Sequence, residues 1–304
     1  MTRYLIGTGG WAYFNAPSKS PLRAYAKCFD FVEVNSTFYE YPSPRTVKGW
    51  RRTVPRNFTF TVRCHQALTH RIGLRPVDEA HTVFNKMIEV CRTLNAPFLH
   101  LLTPPNSLQD ETEIRDAEDF LSSSNPKGVR LAWELRSPPK QKHVRLMQDH
   151  GIVHSVDLSR EEPACKSDTV YTRVFGKGQH NIYQFADEEL EQIDKRVLKM
   201  ETAMAIITFH GLRMSTDAAR FKRYTETGTH MPVTGYLGVE SAKAVLQEDA
   251  IFPSTKDELI AHQGWKVIDM TAQKRMHLSE LLSRIPYKTY DSLNEVSEEL
   301  EKIL

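Results

Sequence analysis

Eight short apolar runs, separated by longer stretches of helical periodicity, constrain this chain more than any other feature. "YLIG", "FDFVEVN", "FTFTVR", "FLHLL", "VRLAWEL", "IVHSVDL", "VYTRVF" and "AMAIITFH" follow one another before residue 211. Short strands alternating with helices are the signal for βα units and a parallel sheet. The helical pattern over 77–94 carries Val83, Met87, Val90 and Leu94 as one buried stripe, and Asn95 then stops it ahead of Pro97. Gly151 stands where a C-terminal cap belongs, just before "IVHSVDL". Eight strands by about residue 210 predict an eight-stranded TIM-like (β/α) barrel of ~230 residues. A doubly wound sheet would want GxGxxG after its first strand. "GTGGW" lacks that spacing, and Trp11 would crowd a pyrophosphate.

The pattern changes after "HMPVTGYLG". Residues 1–232 are therefore assigned to the barrel and 233–304 to a small helical C-terminal domain. Thr255 with Glu258, and Ser292 with Glu295, fit the capping box, and Leu293, Val296, Leu300 and Ile303 form one stripe on the last helix. Forty Lys and Arg against 38 Asp and Glu leave a net charge of +2, so no global polycation advertises nucleic acid or a membrane. The four cysteines lie far apart without a CxxC pair, the spacing of reduced cytosolic thiols rather than of a zinc ribbon or disulfide framework. There is no signal-like N-terminus and no apolar run of roughly eighteen residues. A cytoplasmic protein without a membrane partner is expected.

In a barrel the active site lies at the C-terminal ends of the strands. Polar residues at those ends are Glu33, Asn35, Arg63, Glu134, Arg136, His154, Asp157, Arg173 and His210. Taken singly, each reads as a solvated or salt-bridged rim residue. Together they are more telling, because charges inside a strand pattern are costly unless paired or used. Glu33, Glu134 and Asp157 are the candidate catalytic carboxylates. Trp11, Tyr13, Asn35, Tyr39, Arg63, His70, Arg136, Arg173 and His210 are the candidate substrate-binding residues. Glu33 and Asn35 leave one strand two residues apart and share a face. Walled by Trp11, Tyr13 and Tyr39, Glu33 would lose solvation and suit acid–base work; the bland alternative is an arginine partner that ties strands together. His65, His70, His154 and His210 show no HxxxH or HxH spacing, so no metal ligand is assigned, and a divalent metal stays open as the sole cofactor. A GxSxG elbow and a P-loop are both absent.

"GTGGWAYF", "FDFVEVNSTFYEYP", "FTFTVRCHQALTH", "LLTPP", "WELRS" and "YTRVFG" resemble, in that order, the motifs of the domain of unknown function 72 (YecE-like) family. Gly7, Gly10, Trp11, Tyr13, Glu33, Asn35, Phe38, Tyr39, Pro42, His70, Pro104, Pro105, Glu134, Arg136 and Arg173 match. Departures are Arg63 for a usual Lys, Leu102 for Gln, Ser137 and Phe175 for His, and "FHG" with His210 where paired Asn is typical. Losing two histidines speaks against a shared metal-ligand set. The resemblance implies a TIM-like barrel and no settled activity. The tail, from "FPSTKDELIAHQGW" onward, is more weakly similar to another small helical family, domain of unknown function 2795.

The distant likeness of the family to endonuclease IV and xylose-isomerase-like barrels implies, by analogy, nucleic-acid or sugar chemistry, and the rings, carboxylates and arginines above lead to three expectations. The first is a nucleic-acid-processing hydrolase of the DNA-repair type, cleaving a glycosidic or phosphodiester bond, with DNA ahead of RNA as partner. A base would stack on the rings and arginines would hold phosphates; "WRRTVPR" and "RFKRY" would supply local basic patches. The second is an isomerase or hydrolase of a small sugar or sugar phosphate. The third is a nucleic-acid-binding module without chemistry.

Overall fold

Inward- and outward-facing side chains alternate along each strand, and both faces of these strands are apolar enough to be covered. In the computed structural model, which describes residues 2–14, 20–178 and 181–304, all eight expected strands form. They are β1 (Arg3–Thr8), β2 (Phe31–Val34), β3 (Thr59–Arg63), β4 (Phe98–Thr103), β5 (Arg130–Leu135), β6 (Val153–His154), β7 (Thr169–Val174) and β8 (Met204–Phe209). All the pairings are parallel: β2 to β6 make one ladder of consecutive strands, and β1, β8 and β7 make another. The β1–β8 pairing closes the ring, as a TIM-like barrel requires.

Two seams between the ladders are held by other means. Between β6 and β7 there is a single bridge, Val156 to Thr172. Between β1 and β2 the hydroxyl of Tyr25 accepts from the Thr8 amide at 3.0 Å and donates to the Phe31 carbonyl at 2.9 Å. Gly7 makes that seam close: a Cβ there would lie 2.2 Å from the Phe31 oxygen.

The helices between the strands are α1 (Pro21–Tyr25), α2 (Pro44–Thr53), α3 (Asp78–Leu94), α4 (Glu111–Ser123), α5 (Gln141–Asp149) and α6 (Asp187–Lys199). In α3 the stripe Val83, Met87, Val90 and Leu94 is buried, and Asn95 adopts the left-handed conformation that ends it. No helix joins β6 to β7, and a cavity of 710 Å³ opens there, lined in part by His154, Cys165, Thr169, Lys199 and Thr202.

The chain divides into two compact units, residues 1–174 with 196–209 and residues 175–195 with 210–304. Residues 175–195 and 210–232, assigned above to the barrel, group with the tail in this division. The second unit holds α7 (Met214–Thr227), α8 (Gly238–Leu246), α9 (Lys256–Gln263), α10 (Leu278–Leu282) and α11 (Leu293–Ile303). It also carries two short antiparallel pairs, β9 (Ser254–Thr255) with β12 (Thr289–Tyr290) and β10 (Val267–Asp269) with β11 (Arg275–His277), so the tail is not purely helical. Leu246, Leu259, Ile268, Leu281, Tyr290, Val296 and Leu300 are among its core. The Thr255–Glu258 capping box forms in both directions. Ser292 caps Glu295, but the Glu295 carboxylate reaches the Asp291 amide instead of closing the box. Among the described residues no helix is long and apolar enough to cross a membrane.

Candidate active site

The barrel interior is built in two layers. Leu5, Phe31, Phe98, Ala132, Val153, Tyr171 and Ile206 pack as an apolar plug. Two residues further along their strands stand Glu33, His100, Glu134, Ser155 and Arg173, all buried. Strand periodicity dictates this, since residues i and i+2 share a face. A step further towards the strand C-termini come Arg63, Asn35 and Arg136.

Arg173 is the centre of the polar layer. Its Nε donates to Glu33 Oε1 at 3.0 Å and its Nη1 to Glu134 Oε2 at 2.8 Å. Glu33 Oε2 accepts from the Tyr171 hydroxyl at 2.7 Å, which also lies 2.8 Å from Thr61 Oγ1. Glu134 Oε1 pairs with Arg136 at 3.0 Å, and His100 Nε2 lies 3.5 Å from Glu134 and 3.2 Å from Ser155 Oγ. Burial works against the charge of Arg173, but the Glu33 and Glu134 carboxylates outweigh it and hold its pKa above the ordinary value. Burial, and then Glu33, push the Tyr171 phenol well up, so it acts as a hydrogen-bond donor.

Arg63 is treated differently. It is 7% exposed, donates to Asn35 Oδ1 at 2.7 Å, and lies with its guanidinium carbon 3.6 Å from the Phe38 ring centroid. Burial, and then the charge of Arg173, bring its pKa down to about 10. His70 meets Phe38 edge-on at 5.0 Å; burial, then Arg63 and Arg136, lower its pKa.

Glu33, Asn35, Arg63, Glu134, Arg136 and Arg173 are thus brought together as expected from sequence, with His70 beside them. Other expectations need correction. Trp11 does not wall Glu33. It meets Trp50 of α2 at 5.3 Å and Phe60 at 6.5 Å, and Phe60 faces outward because Thr61 and Arg63 face in. Tyr13 is 87% exposed and Tyr39 61% exposed, so neither desolvates a buried carboxylate. The ring against the arginine is Phe38. Asp157 uses Oδ1 to accept from the Ser159 amide and hydroxyl, which shapes the turn after β6. His210 lies in the second unit, stacked on Phe175 at 4.6 Å. His154 points outward, its Nδ1 accepting from the Ala164 amide.

The two basic patches are engaged in part, while Arg52, Arg56 and Arg223 stand exposed. Arg51 donates to the carbonyls of Phe58, Pro55 and Leu94. Arg220 is buried against Asp187 and Asp217 in the second unit, and Lys222 pairs with Glu226.

Sequence reading passed over His100, Tyr171 and Glu161. His100 lies in the inward row Phe98–His100–Leu102 and Tyr171 in Thr169–Tyr171–Arg173, so period-two counting reaches both. Glu161 follows the turn after β6; partial burial, then Asp157 and Glu134, push its carboxyl up. No spacing rule points to it.

The sequence leaves a divalent metal open, and the charges of the site decide whether one fits. The place between Glu33 and Glu134 is filled by the guanidinium of Arg173. A second cation there would face a positive group instead of free carboxylate lone pairs, so these residues do not fit a metal between them. Among the described residues no group of three or more His, Cys, Asp or Glu is arranged to hold one.

The fold and its interior define a (β/α) barrel with an apolar plug under a charged floor at the strand C-termini. The chain belongs to the family described as "Protein of unknown function DUF72", whose model matches residues 5–234. It is 28% identical over 102 residues to the UPF0759 protein YunF of Bacillus subtilis (strain 168), spanning 31% of this chain and 35% of that one. It is 35% identical over 63 residues to the UPF0759 protein YecE of Escherichia coli (strain K12), 21% of this chain and 23% of that one. The aligned stretches therefore span about a third or less of these curated relatives. Among solved structures, the DUF72 family protein TM1631 of Thermotoga maritima MSB8 is similar with a TM-score of 0.61 at 21% identity, covering 74% of this chain and 99% of that one. A D-tagatose 3-epimerase-like protein shares the fold with a TM-score of 0.52 at 12% identity, covering 74% and 96%.

Proposed function

We propose that the barrel mouth performs general acid–base chemistry on a small sugar or sugar phosphate, of the isomerase or hydrolase class. The observation that carries this reading is the charged layer set directly on the apolar plug, with Glu134 held between Arg173, Arg136 and His100. Such a layer offers a hydroxyl-rich molecule alternating donors and acceptors over a water-poor floor. Glu134 is the proposed base. Glu161, an exposed carboxyl in the loop after β6 that Asp157 and Glu134 help to keep protonated, is the proposed acid. Glu33, fully enclosed beneath the layer where Glu134 keeps some exposure, positions Arg173. The fold shared with a D-tagatose 3-epimerase-like protein agrees with this but assigns no activity by itself.

The test is NMR of aldoses, ketoses and their phosphates incubated with the full chain in D2O, reading deuterium exchange at carbon and product release. Glu134→Gln is expected to slow the reaction about a hundredfold or more. Turnover at full rate in that variant, or none with the native chain across the panel, overturns the reading.

Two exposed rings, Tyr13 and Tyr39, favour a second reading. In it an unpaired DNA base stacks on them and the arginines hold phosphates before hydrolysis. Affinity for single-stranded DNA then falls steeply with salt; binding that ignores salt, or none at low salt, eliminates it.

A further inference from the structure

We infer that Arg63 anchors a phosphate group of the substrate, an assignment that rests on the sugar-class reading and narrows it to a phosphate ester. Every other buried cation of the barrel floor has a carboxylate partner: Arg173 has two. Arg63 is also buried yet, among the described residues, has no carboxylate within ion-pair distance. Its polar partner is the neutral amide of Asn35, its face is covered by Phe38, and its Nε has no hydrogen-bond acceptor. A buried guanidinium left in this state is costly, and an arriving oxyanion removes the cost.

The surroundings favour a negative charge on the group that Arg63 binds. Glu33 and Glu134 are bound to Arg173 and Arg136, so neither is drawn to Arg63, whose polar partner is the neutral Asn35. His70 lies close enough to Arg63 and Arg136 for both to disfavour its protonation. An anion between the three would reverse that effect and add a third donor. Asp157 pairs with Arg160 in the turn after β6, and the Glu161 carboxyl beside them is acted on by Asp157 and Glu134 and, in the opposite sense, by Arg136 and Arg160. A planar guanidinium with a fixed Nε–H and Nη pair matches two oxygens of a tetrahedral phosphate. Asn35, by holding Nη1, fixes the plane of that fork.

Calorimetry of the full chain with inorganic phosphate, against chloride at equal ionic strength, tests this without any turnover. Saturable phosphate binding is expected, weaker by about tenfold or more in Arg63→Gln and intermediate in Arg63→Lys. Should Arg63→Gln not fold, the arginine Nε–H resonances of the native chain decide instead. The Arg63 signal shifts on phosphate addition if the assignment is right and stays put if it is wrong. Absent phosphate binding, unchanged binding in a folded Arg63→Gln, or displacement of phosphate by the dicarboxylate malonate at lower concentration each overturns the phosphate anchor. Phosphate binding without turnover of any sugar phosphate leaves the anchor standing and removes the sugar-class chemistry, so the two failures are distinct.

Discussion

Arg173 shows how a charge is kept inside a barrel. Its guanidinium spans Glu33 and Glu134, and Tyr171 takes the remaining oxygen of Glu33. Breaking such a buried pair costs about 3–5 kcal/mol, because the partner is left charged and unpaired. Glu33→Gln is therefore expected to lower unfolding free energy by about 3 kcal/mol in urea titration, while any chemistry run by Glu134 persists. A Glu33→Gln variant that keeps its stability but loses all activity would place Glu33 in the reaction itself. At this scale the sequence was legible where physics is strictest. Glu33, Arg63, Glu134 and Arg173 interrupt apolar strands, and a charge there needs a reason. Trp11, Tyr13 and Tyr39 misled because a ring in a loop has no period to say which way it faces. His100 and Tyr171 were overlooked because a lone polar group in an apolar run reads as core.

At the scale of elements, all eight strands were readable, since length, β-branched content and the helices between them agree. The seams were not. A strand pair that lacks ladder hydrogen bonds looks, in sequence, like one that has them. What replaces the ladder between β1 and β2 is one hydroxyl from α1, and nothing in "PLRAYAKCF" marks Tyr25 for that task. Tyr25→Phe leaves the Thr8 amide and Phe31 carbonyl without their buried partner, and is expected to cost about 1–3 kcal/mol. Gly7→Ala sets a Cβ against the Phe31 oxygen, backbone against backbone, and is expected to cost about as much through overpacking. Thermal unfolding of the two variants checks both values. An unchanged midpoint for either would show that the seam yields without penalty.

At the scale of the whole molecule, two buried groups, one in each unit, contribute to pH-dependent stability with opposite sign. In the barrel unit His154 is buried; burial lowers its pKa to about 4, with the nearby Glu134 carboxylate opposing. The unfolded chain, with an ordinary His near 6.5, binds more protons between these values. Stability contributed by neutral His154 is therefore present above pH ~6.5 and is lost as pH falls towards 4. In the second unit Asp217 is buried beside Arg220, and burial outweighs that partner to raise its pKa to about 7. Here the folded state binds more protons. Stability is present below the unfolded value of ~3.8 and is lost as pH rises through 7. Acidification from pH 7 to 5 thus takes away the contribution of His154 in the barrel unit while it adds that of Asp217 in the other. Single substitutions separate the effects: in His154→Gln the acid loss of Tm shrinks relative to the native chain, and in Asp217→Asn the loss on going from pH 5 to 8 shrinks instead. Calorimetric scans of the three proteins at pH 5, 6.5 and 8 read this directly. Parallel Tm-against-pH curves for the native chain and both variants would mean that neither group titrates across the folding transition, and the opposition between the two contributions would be gone.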